Sequence, residues 1–170
     1  MWLLLTTSYF SSSSPPSLVQ VHGQNDDLWM QSPTCARCHS EIFVEWQDSM
    51  HAFSSFNNPF YQVAFDSFVK EMGQDKAAFC GGCHDPALLF SGGLNGEVAA
   101  GDLRAQAGVG CTVCHSVVKS HAEGNASYEL QTTDIALPAP DGSGLDAHRA
   151  RLMNDEIRSE KLCVSCHRGF

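Results

Sequence analysis

The chain has 170 residues, which suits one domain, and 43% of them are apolar, an ordinary share for a globular protein. Asp and Glu number 19 against 10 Lys and Arg, so the formal net charge is -9. This balance argues against a nucleic-acid partner, which requires Lys and Arg, and favours a protein partner with a basic docking surface.

The first 23 residues have a short apolar run, Trp2 to Leu5, followed by small polar residues, and no charged residue. This pattern is typical of an export signal, although the usual basic start and longer apolar core are missing. We therefore predict an atypical export signal over residues 1–23, with cleavage after Gly23. A disordered Ser- and Pro-rich tail is the alternative. No later stretch is apolar over the roughly 20 residues that a membrane helix needs, so we expect a soluble body without a membrane span.

Three segments repeat apolar residues at three- and four-residue intervals, which predicts helices. The first covers residues 40–53. The second begins at the cap Asn58, with Pro59 in its first turn, and stops at Gly73. The third covers residues 146–162 and carries mixed charges on its outer face. The apolar residues are Ile42, Phe43, Trp46, Met50 and Phe53 in the first helix, Phe60, Val63, Ala64, Phe65, Phe68 and Met72 in the second, and Leu152, Ile157 and Leu162 in the third.

Residues 92–101 and 132–144 contain Gly and Pro turn signals and predict loops. No segment sustains the two-residue period of a strand. The predicted fold class is therefore mainly α with long loops, rather than sheet.

The eight cysteines form four Cys-x-x-Cys pairs, and a histidine directly follows each pair. The four motifs read CARCH at 35–39, CGGCH at 80–84, CTVCH at 111–115 and CVSCH at 163–167. Zinc knuckles, a disulfide scaffold and a redox-active Cys-x-x-Cys site each explain the cysteines but give no reason for the histidine. Cys-x-x-Cys-His is the attachment signature of haem c, which explains both.

A turn of helix accounts for this spacing. Two thiols three residues apart project from one face and can reach the two vinyl groups of a haem edge. The histidine one residue further lies on nearly the same face and can ligate the iron. We therefore predict four covalent haems, which form the core of a small multihaem cytochrome over residues 24–170. The thioether-forming residues are Cys35, Cys38, Cys80, Cys83, Cys111, Cys114, Cys163 and Cys166, and the proximal ligands are His39, His84, His115 and His167.

Thioethers form on reduced cysteines outside the cytoplasm, so the motifs and the N-terminal segment both indicate a periplasmic or extracellular protein.

The second axial ligands must come from elsewhere in the chain. Cleavage after Gly23 removes His22, so three histidines remain for four irons: His51, His121 and His148. His51 is twelve residues past His39, about 18 Å along a helix, so we expect it to ligate a different haem. The methionines Met30, Met50, Met72 and Met153 are interpreted as packing residues.

The order of these residues resembles the cytochrome c-554 family of multihaem cytochromes. The resemblance begins with CARCH, Trp46 and Ser49-Met50-His51, continues through CGGCH and the Gly108-Val109-Gly110 lead into CTVCH, and ends at CVSCH, covering residues 33–170. It implies haems stacked in closely packed pairs, mostly with two histidine ligands, in a periplasmic electron carrier that serves, for example, hydroxylamine oxidation.

The resemblance also implies roles for single residues. His51 matches the family's interhaem ligand, and His121 matches the ligand after the third motif. The haem on Cys80 and Cys83 matches one that lacks a second axial ligand, whereas His148 falls in a segment that does not align. The chain ends three residues past His167, where relatives continue with another ligand histidine. This implies a fragment truncated at the C-terminus, a fourth site built differently, or completion by a neighbouring subunit.

Three functions follow. The first is electron transfer between redox partners, which needs close haems and a docking surface but no catalytic motif. The second is an enzyme that uses an open-coordinate haem on a small nitrogen or sulfur compound. The third is a self-assembling multihaem filament. We favour electron transfer over catalysis, because no nucleophile triad, phosphate loop or paired carboxylate motif is present. Asp85, after CGGCH, is interpreted as a cap.

Overall fold

The structure is a computed structural model that describes residues 19–22, 26–99 and 101–168; for residues 19–22, 26 and 27 it describes the backbone alone. Most of the predicted export segment, the cleavage point at Gly23 and the terminal Phe170 lie outside the described residues. The described chain is mainly helical with loops, as its sequence predicts.

The helices are short and are joined by turns and single 3-10 turns. They are α1 (Ser32–Cys35), α2 (Ser40–Gln47), α3 (Pro59–Met72), α4 (Ala78–His84), α5 (Pro86–Phe90), α6 (Cys111–Ser116), α7 (Leu145–Leu152) and α8 (Glu160–Val164). The 3-10 turns span Asp26–Met30, Gln74–Lys76, Gly93–Asn95, Leu103–Gln106 and Glu156–Arg158. In this described part, no helix is both long enough and apolar enough to cross a membrane.

The prediction for α3 is confirmed from end to end. The Asn58 side chain accepts hydrogen bonds from the backbone N–H of Phe60 and Tyr61, and Pro59 opens the helix. Gly73 ends it with φ of +96°, a positive value that favours glycine. The predicted apolar stripe is wrong in detail, because the buried residues of α3 are Tyr61 and Phe65, while Phe60 is 85% exposed.

The two other helix predictions are wrong in length. The first helix, predicted over residues 40–53, ends at Gln47, because the Ser49 N–H and hydroxyl both bond to the Trp46 carbonyl, at 2.9 and 2.6 Å. The third, predicted over residues 146–162, breaks into α7, a 3-10 turn and α8. Asn154 causes the break by accepting hydrogen bonds from the N–H of Glu156 and Ile157, so its side chain starts a new turn.

A small sheet is present where none was expected. Its strands are β1 (Val19–His22), β2 (Val117–Ser120) and β3 (Tyr128–Gln131), in the order β1-β3-β2. β3 pairs in parallel with β1 and antiparallel with β2, and the β2 register shifts between Val117 and Lys119. The loops predicted over 92–101 and 132–144 contain no strand or α-helix in their described residues.

The core consists of two small apolar clusters. One surrounds the sheet and includes Leu28, Trp29, Ala87, Val113, Val117, Ala126, Tyr128 and Leu130, with Cys83 and Cys166 packed against it. The other contains Tyr61, Phe65, Ala77, Leu88, Leu94 and Ala105, with Cys80 at its edge. α2 has no buried residue, and its Ile42 and Val44 are more than half exposed. The polypeptide therefore presents apolar side chains, next to the first motif, that can pack on a flat apolar cofactor.

Candidate haem sites

Each Cys-x-x-Cys-His motif folds as a turn of helix, as its spacing predicts. The His39 N–H donates to the Cys35 carbonyl at 2.9 Å, and the His167 N–H donates to the Cys163 carbonyl at 2.8 Å. The second and third motifs lie within α4 and α6. All eight cysteines have free thiols. The donor set of each motif, two thiols and an imidazole on one helical turn, is the set that haem c requires.

Two motif histidines have their ring orientation fixed by a backbone carbonyl. The His84 Nδ1–H donates to the Ser54 carbonyl at 2.9 Å, and the His115 Nδ1–H donates to the Leu152 carbonyl at 2.8 Å. A hydrogen bond of this kind fixes the tautomer and leaves Nε2 as the metal-binding nitrogen. These two sites therefore fit a haem iron in both donor type and ring tautomer.

The first and third motifs lie against each other. The Ser32 hydroxyl of α1 accepts a hydrogen bond from the Cys111 N–H at 3.1 Å, which docks the start of the first motif on the start of α6. Interaction with the neighbouring Cys35 thiol, together with Ser32 and the charge of His115, lowers the pKa of Cys111 to about 6 despite partial burial.

The second and fourth motifs are joined in the same way. The Ser127 N–H donates to the Ser165 carbonyl at 3.2 Å, and the Tyr128 hydroxyl donates to the Gly82 carbonyl, so β3 holds both motifs. Interaction with the neighbouring Cys166 thiol lowers the pKa of Cys83, and the Ala126 N–H also lowers it.

The third motif also contributes to the cluster that packs against the second and fourth motifs. Val113 belongs to the cluster around the sheet, and Cys83 and Cys166 pack against that cluster. Burial raises the pKa of the Cys114 thiol to about 11, and like-charge repulsion from Cys111 and Cys163 adds to the rise. The first motif thus lies against the third, and the second, third and fourth motifs meet around one apolar cluster.

The turn that follows α2 brings His51 to the fourth motif. The rings of His51 and His167 have centroids 5.9 Å apart, with an angle of 60° between their planes. The His51 carbonyl accepts from the Val109 N–H at 2.8 Å, and the Trp46 indole N–H donates to the Val109 carbonyl at 2.8 Å. The segment that leads into the third motif therefore fixes the position of His51.

The other spare histidines lie in different surroundings. The His148 Nδ1–H donates to the Ala136 carbonyl at 2.9 Å, the same arrangement as in His84 and His115. His121 Nε2 lies 3.8 Å from a carboxylate oxygen of Glu129. The backbone of His22 lies in β1, and its side chain is not among those described.

The sequence did not indicate the buried polar group beside the second motif. Asp85 is 1% exposed, and its side chain accepts hydrogen bonds from the hydroxyls of Ser55 and Tyr61. Burial raises the pKa of Asp85 to about 6, although these bonds and the charge of His84 act against the rise. Asp85 stands at the N-cap position of α5, as the sequence predicts, but its side chain makes no capping bond to that helix. The position directly after a motif histidine was the one available signal.

Two further observations complete the picture of these sites. In the described part of the chain, no three or more His, Cys, Asp or Glu residues are grouped to hold a metal ion. Arg151 lies behind the third motif, where it donates to the carbonyls of His115 at 3.2 Å and Gln131 at 2.8 Å.

The comparisons with known proteins add one match. The family model described as cytochrome c554 and c-prime matches residues 34–116. The match supports a c-type cytochrome. It indicates an electron-transfer protein with covalently bound haem c, and it includes the first three motifs but ends before the fourth. No curated protein and no solved structure matches the chain.

Proposed function

We propose that the chain is a tetrahaem c-type cytochrome that transfers electrons between redox partners outside the cytoplasm. The observation that carries this proposal is the close arrangement of the motifs: Ser32 docks the first motif on the Cys111 N–H of the third, and Cys83 and Cys166 pack against the cluster that contains Val113 of the third. Because the thiols of each motif would anchor one edge of its haem, neighbouring motifs would hold haems close together. Electron transfer needs this close spacing more than it needs a substrate pocket.

Each motif holds one haem through its two cysteines and ligates the iron through its histidine. When bound, each haem supplies an iron that takes up and releases one electron. The polypeptide sets the orientation of the ligand rings through bonds such as that from His84 to the Ser54 carbonyl. It also provides the apolar surroundings that, with the ligands, tune the reduction potential.

His51 is proposed as the second ligand for the iron held by His167. Metal–imidazole bonds are about 2 Å long, so two imidazoles on opposite sides of one metal have centroids roughly 6 Å apart. The separation of 5.9 Å between His51 and His167 agrees with this value. His148 and His121 are the other candidates; His148 is the stronger, since its Nδ1–H is already bonded to a carbonyl, whereas His121 Nε2 faces Glu129.

The proposed location and partners follow from the sequence. The atypical signal over residues 1–23 would direct export, which haem c attachment also requires. The net charge of -9 favours a partner with a basic docking surface, and the haem propionates would add to the negative charge.

Intact mass of the exported protein tests the proposal directly. We expect a chain that begins at residue 24 and carries four haems. A matched variant with Cys35→Ala and Cys38→Ala should lose the mass of one haem and keep the other three. A colourless product, or one that carries stoichiometric zinc, would refute the proposal.

A second candidate function is an enzyme with an open-coordinate haem on the second motif. After the predicted cleavage, three histidines remain as second ligands for four motifs, so one iron would lack a second histidine ligand. The substrate would be a small nitrogen or sulfur compound that binds the open iron. High-spin ferric EPR together with carbon monoxide binding to the reduced protein would support this candidate. Entirely low-spin spectra would exclude it.

A further inference from the structure

The imidazole of His84 lies in a fixed aromatic environment. Its ring stacks on Tyr61 with centroids 4.5 Å apart and planes within 14° of parallel. Its Nδ1–H donates to the Ser54 carbonyl at 2.9 Å, and the Ser54 hydroxyl oxygen lies 2.9 Å from the His51 carbonyl and 3.2 Å from the His84 carbonyl. In the described part of the chain, no other motif histidine stacks face to face on an aromatic ring.

The Tyr61 ring is itself restrained at both ends. Its hydroxyl donates to the carboxylate of Asp85, which is almost fully buried. Its ring packs edge-on against Phe56, with centroids 5.4 Å apart, and tilted against Phe65 at 5.9 Å. A ring with a buried hydrogen bond and two aromatic neighbours has little freedom to rotate.

Asp85 is held in turn by the segment that contacts His84. The Ser55 hydroxyl donates to the Asp85 carboxylate, while its oxygen also lies 2.9 Å from the Ala105 carbonyl. Ser54 therefore contacts His84, and Ser55 contacts Asp85. Because Asp85 also bonds Tyr61, this two-residue segment holds both the imidazole and the carboxylate that anchors its stacking partner.

We propose that Tyr61 is a positioning residue that fixes the plane of the His84 imidazole, and that the Asp85 carboxylate anchors Tyr61 in this place. The proposal rests on the proposed function, because His84 has to be an iron ligand. The orientation of a histidine ring about its metal bond is part of what tunes a haem iron. The second motif would thus carry a haem with a ligand plane set by a stacked tyrosine.

The test uses haem-loaded protein and three variants. Tyr61→Leu removes the stack, Tyr61→Phe keeps the ring but removes its bond to Asp85, and Val69→Ala is the matched control. Val69 lies two helical turns from Tyr61 on α3 and packs against the same apolar cluster. Ferric EPR is recorded for each variant, and a His84→Met variant identifies the signal of the second motif.

We expect Tyr61→Leu to shift the EPR g-values of that one signal and to leave the others in place. Tyr61→Phe should produce a smaller shift of the same signal. Val69→Ala should lower thermal stability but leave every g-value unchanged. The proposal is overturned if Tyr61→Leu leaves the signal unchanged, if Val69→Ala shifts it equally, or if Tyr61→Phe shifts it as much as Tyr61→Leu.

The haem content separates this inference from the proposed function. If peptide mass analysis finds no haem on Cys80 and Cys83 of the wild-type chain, both proposals fail. If all four motifs are loaded and the Tyr61→Leu spectrum is unchanged, the positioning role fails and the electron-transfer function stands.

Discussion

Gly108 provides the most direct test of the arrangement around His51. Its φ is +57°, and a Cβ at this position would lie 2.4 Å from the His51 carbonyl oxygen and 2.6 Å from that of Ala52. Both obstructing atoms belong to the backbone, so no side-chain rotation can relieve the contact. Gly108→Ala therefore has to displace either the His51 turn or the lead into the third motif.

Comparison with Gly142→Ala separates the backbone strain of Gly108→Ala from its steric clash. Gly142 also has a positive φ, +84°, but nothing lies within 4 Å of its hypothetical Cβ. The shared backbone strain is about 1–2 kcal/mol. Gly108→Ala adds the backbone clash and loses the 2.8 Å bond from the Val109 N–H to the His51 carbonyl, so we expect a total loss of about 3–5 kcal/mol.

Two measurements on haem-loaded protein check this prediction. Urea unfolding should show a much larger loss for Gly108→Ala than for Gly142→Ala. EPR should show additional high-spin ferric iron in Gly108→Ala alone, because displacement of His51 removes a ligand from the iron held by His167. Equal unfolding losses together with identical spectra would refute the reasoning, since His51 would then not depend on close approach to Gly108.

Three other substitutions test the contacts that hold the motifs in place. Asn58→Ala removes the cap of α3, which accepts from the Phe60 N–H at 3.0 Å; we expect a loss of about 1 kcal/mol in thermal unfolding, and an unchanged melting temperature would contradict the capping role. Thr112→Val removes a buried 2.9 Å bond to the Leu28 carbonyl, which keeps a 3.3 Å bond from the Gln31 N–H; urea unfolding should report a loss of about 1 kcal/mol, whereas a gain would show that the bond does not stabilise the fold. Arg151→Met should lower the free energy of unfolding by about 2 kcal/mol, because Arg151 bonds the carbonyls of His115 and Gln131. The exposed control Arg149→Met should lower it by less than about 0.5 kcal/mol, and similar losses in the two variants would rule out a specific role for Arg151.

The sequence predicts best where the signal is local. α3 is correct at both ends because a side-chain cap, a proline and a glycine act within one turn of the residues they affect. The same holds for the motif turns, since the N–H groups of His39 and His167 bond carbonyls four residues earlier. The sequence of a Cys-x-x-Cys-His motif thus largely determines how its own two thiols and its histidine are positioned.

The two helices predicted too long have a common cause, which is competition from polar side chains for backbone hydrogen bonds. Apolar spacing suggests that the first and third helices continue, yet Ser49 and Asn154 take over backbone bonds that a longer helix needs. The sheet was missed for another reason: its strands have four residues each, so the alternation in β3 is too short to indicate a strand, and β2 does not alternate because its register shifts after Val117.

The position of a second histidine ligand and the docking of one motif on another depend on contacts that sequence spacing does not encode. His51 meets His167, more than a hundred positions away, because the lead into the third motif holds its carbonyl. The first and third motifs meet because Ser32 bonds the Cys111 N–H across 79 residues. Helical spacing alone indicated that His51 serves another iron, but it gave no means of choosing which.

This division between local and distant contacts has a consequence for maturation. Haem attachment requires the thiols and histidine of one five-residue motif, so it can proceed before the chain is folded. A second histidine ligand and the close arrangement of the motifs require the folded chain, since the contacts that produce them are distant in sequence. Haem count and spin state therefore report different things: a variant with four haems and excess high-spin iron has intact motifs and a disturbed fold, which is the outcome expected for Gly108→Ala.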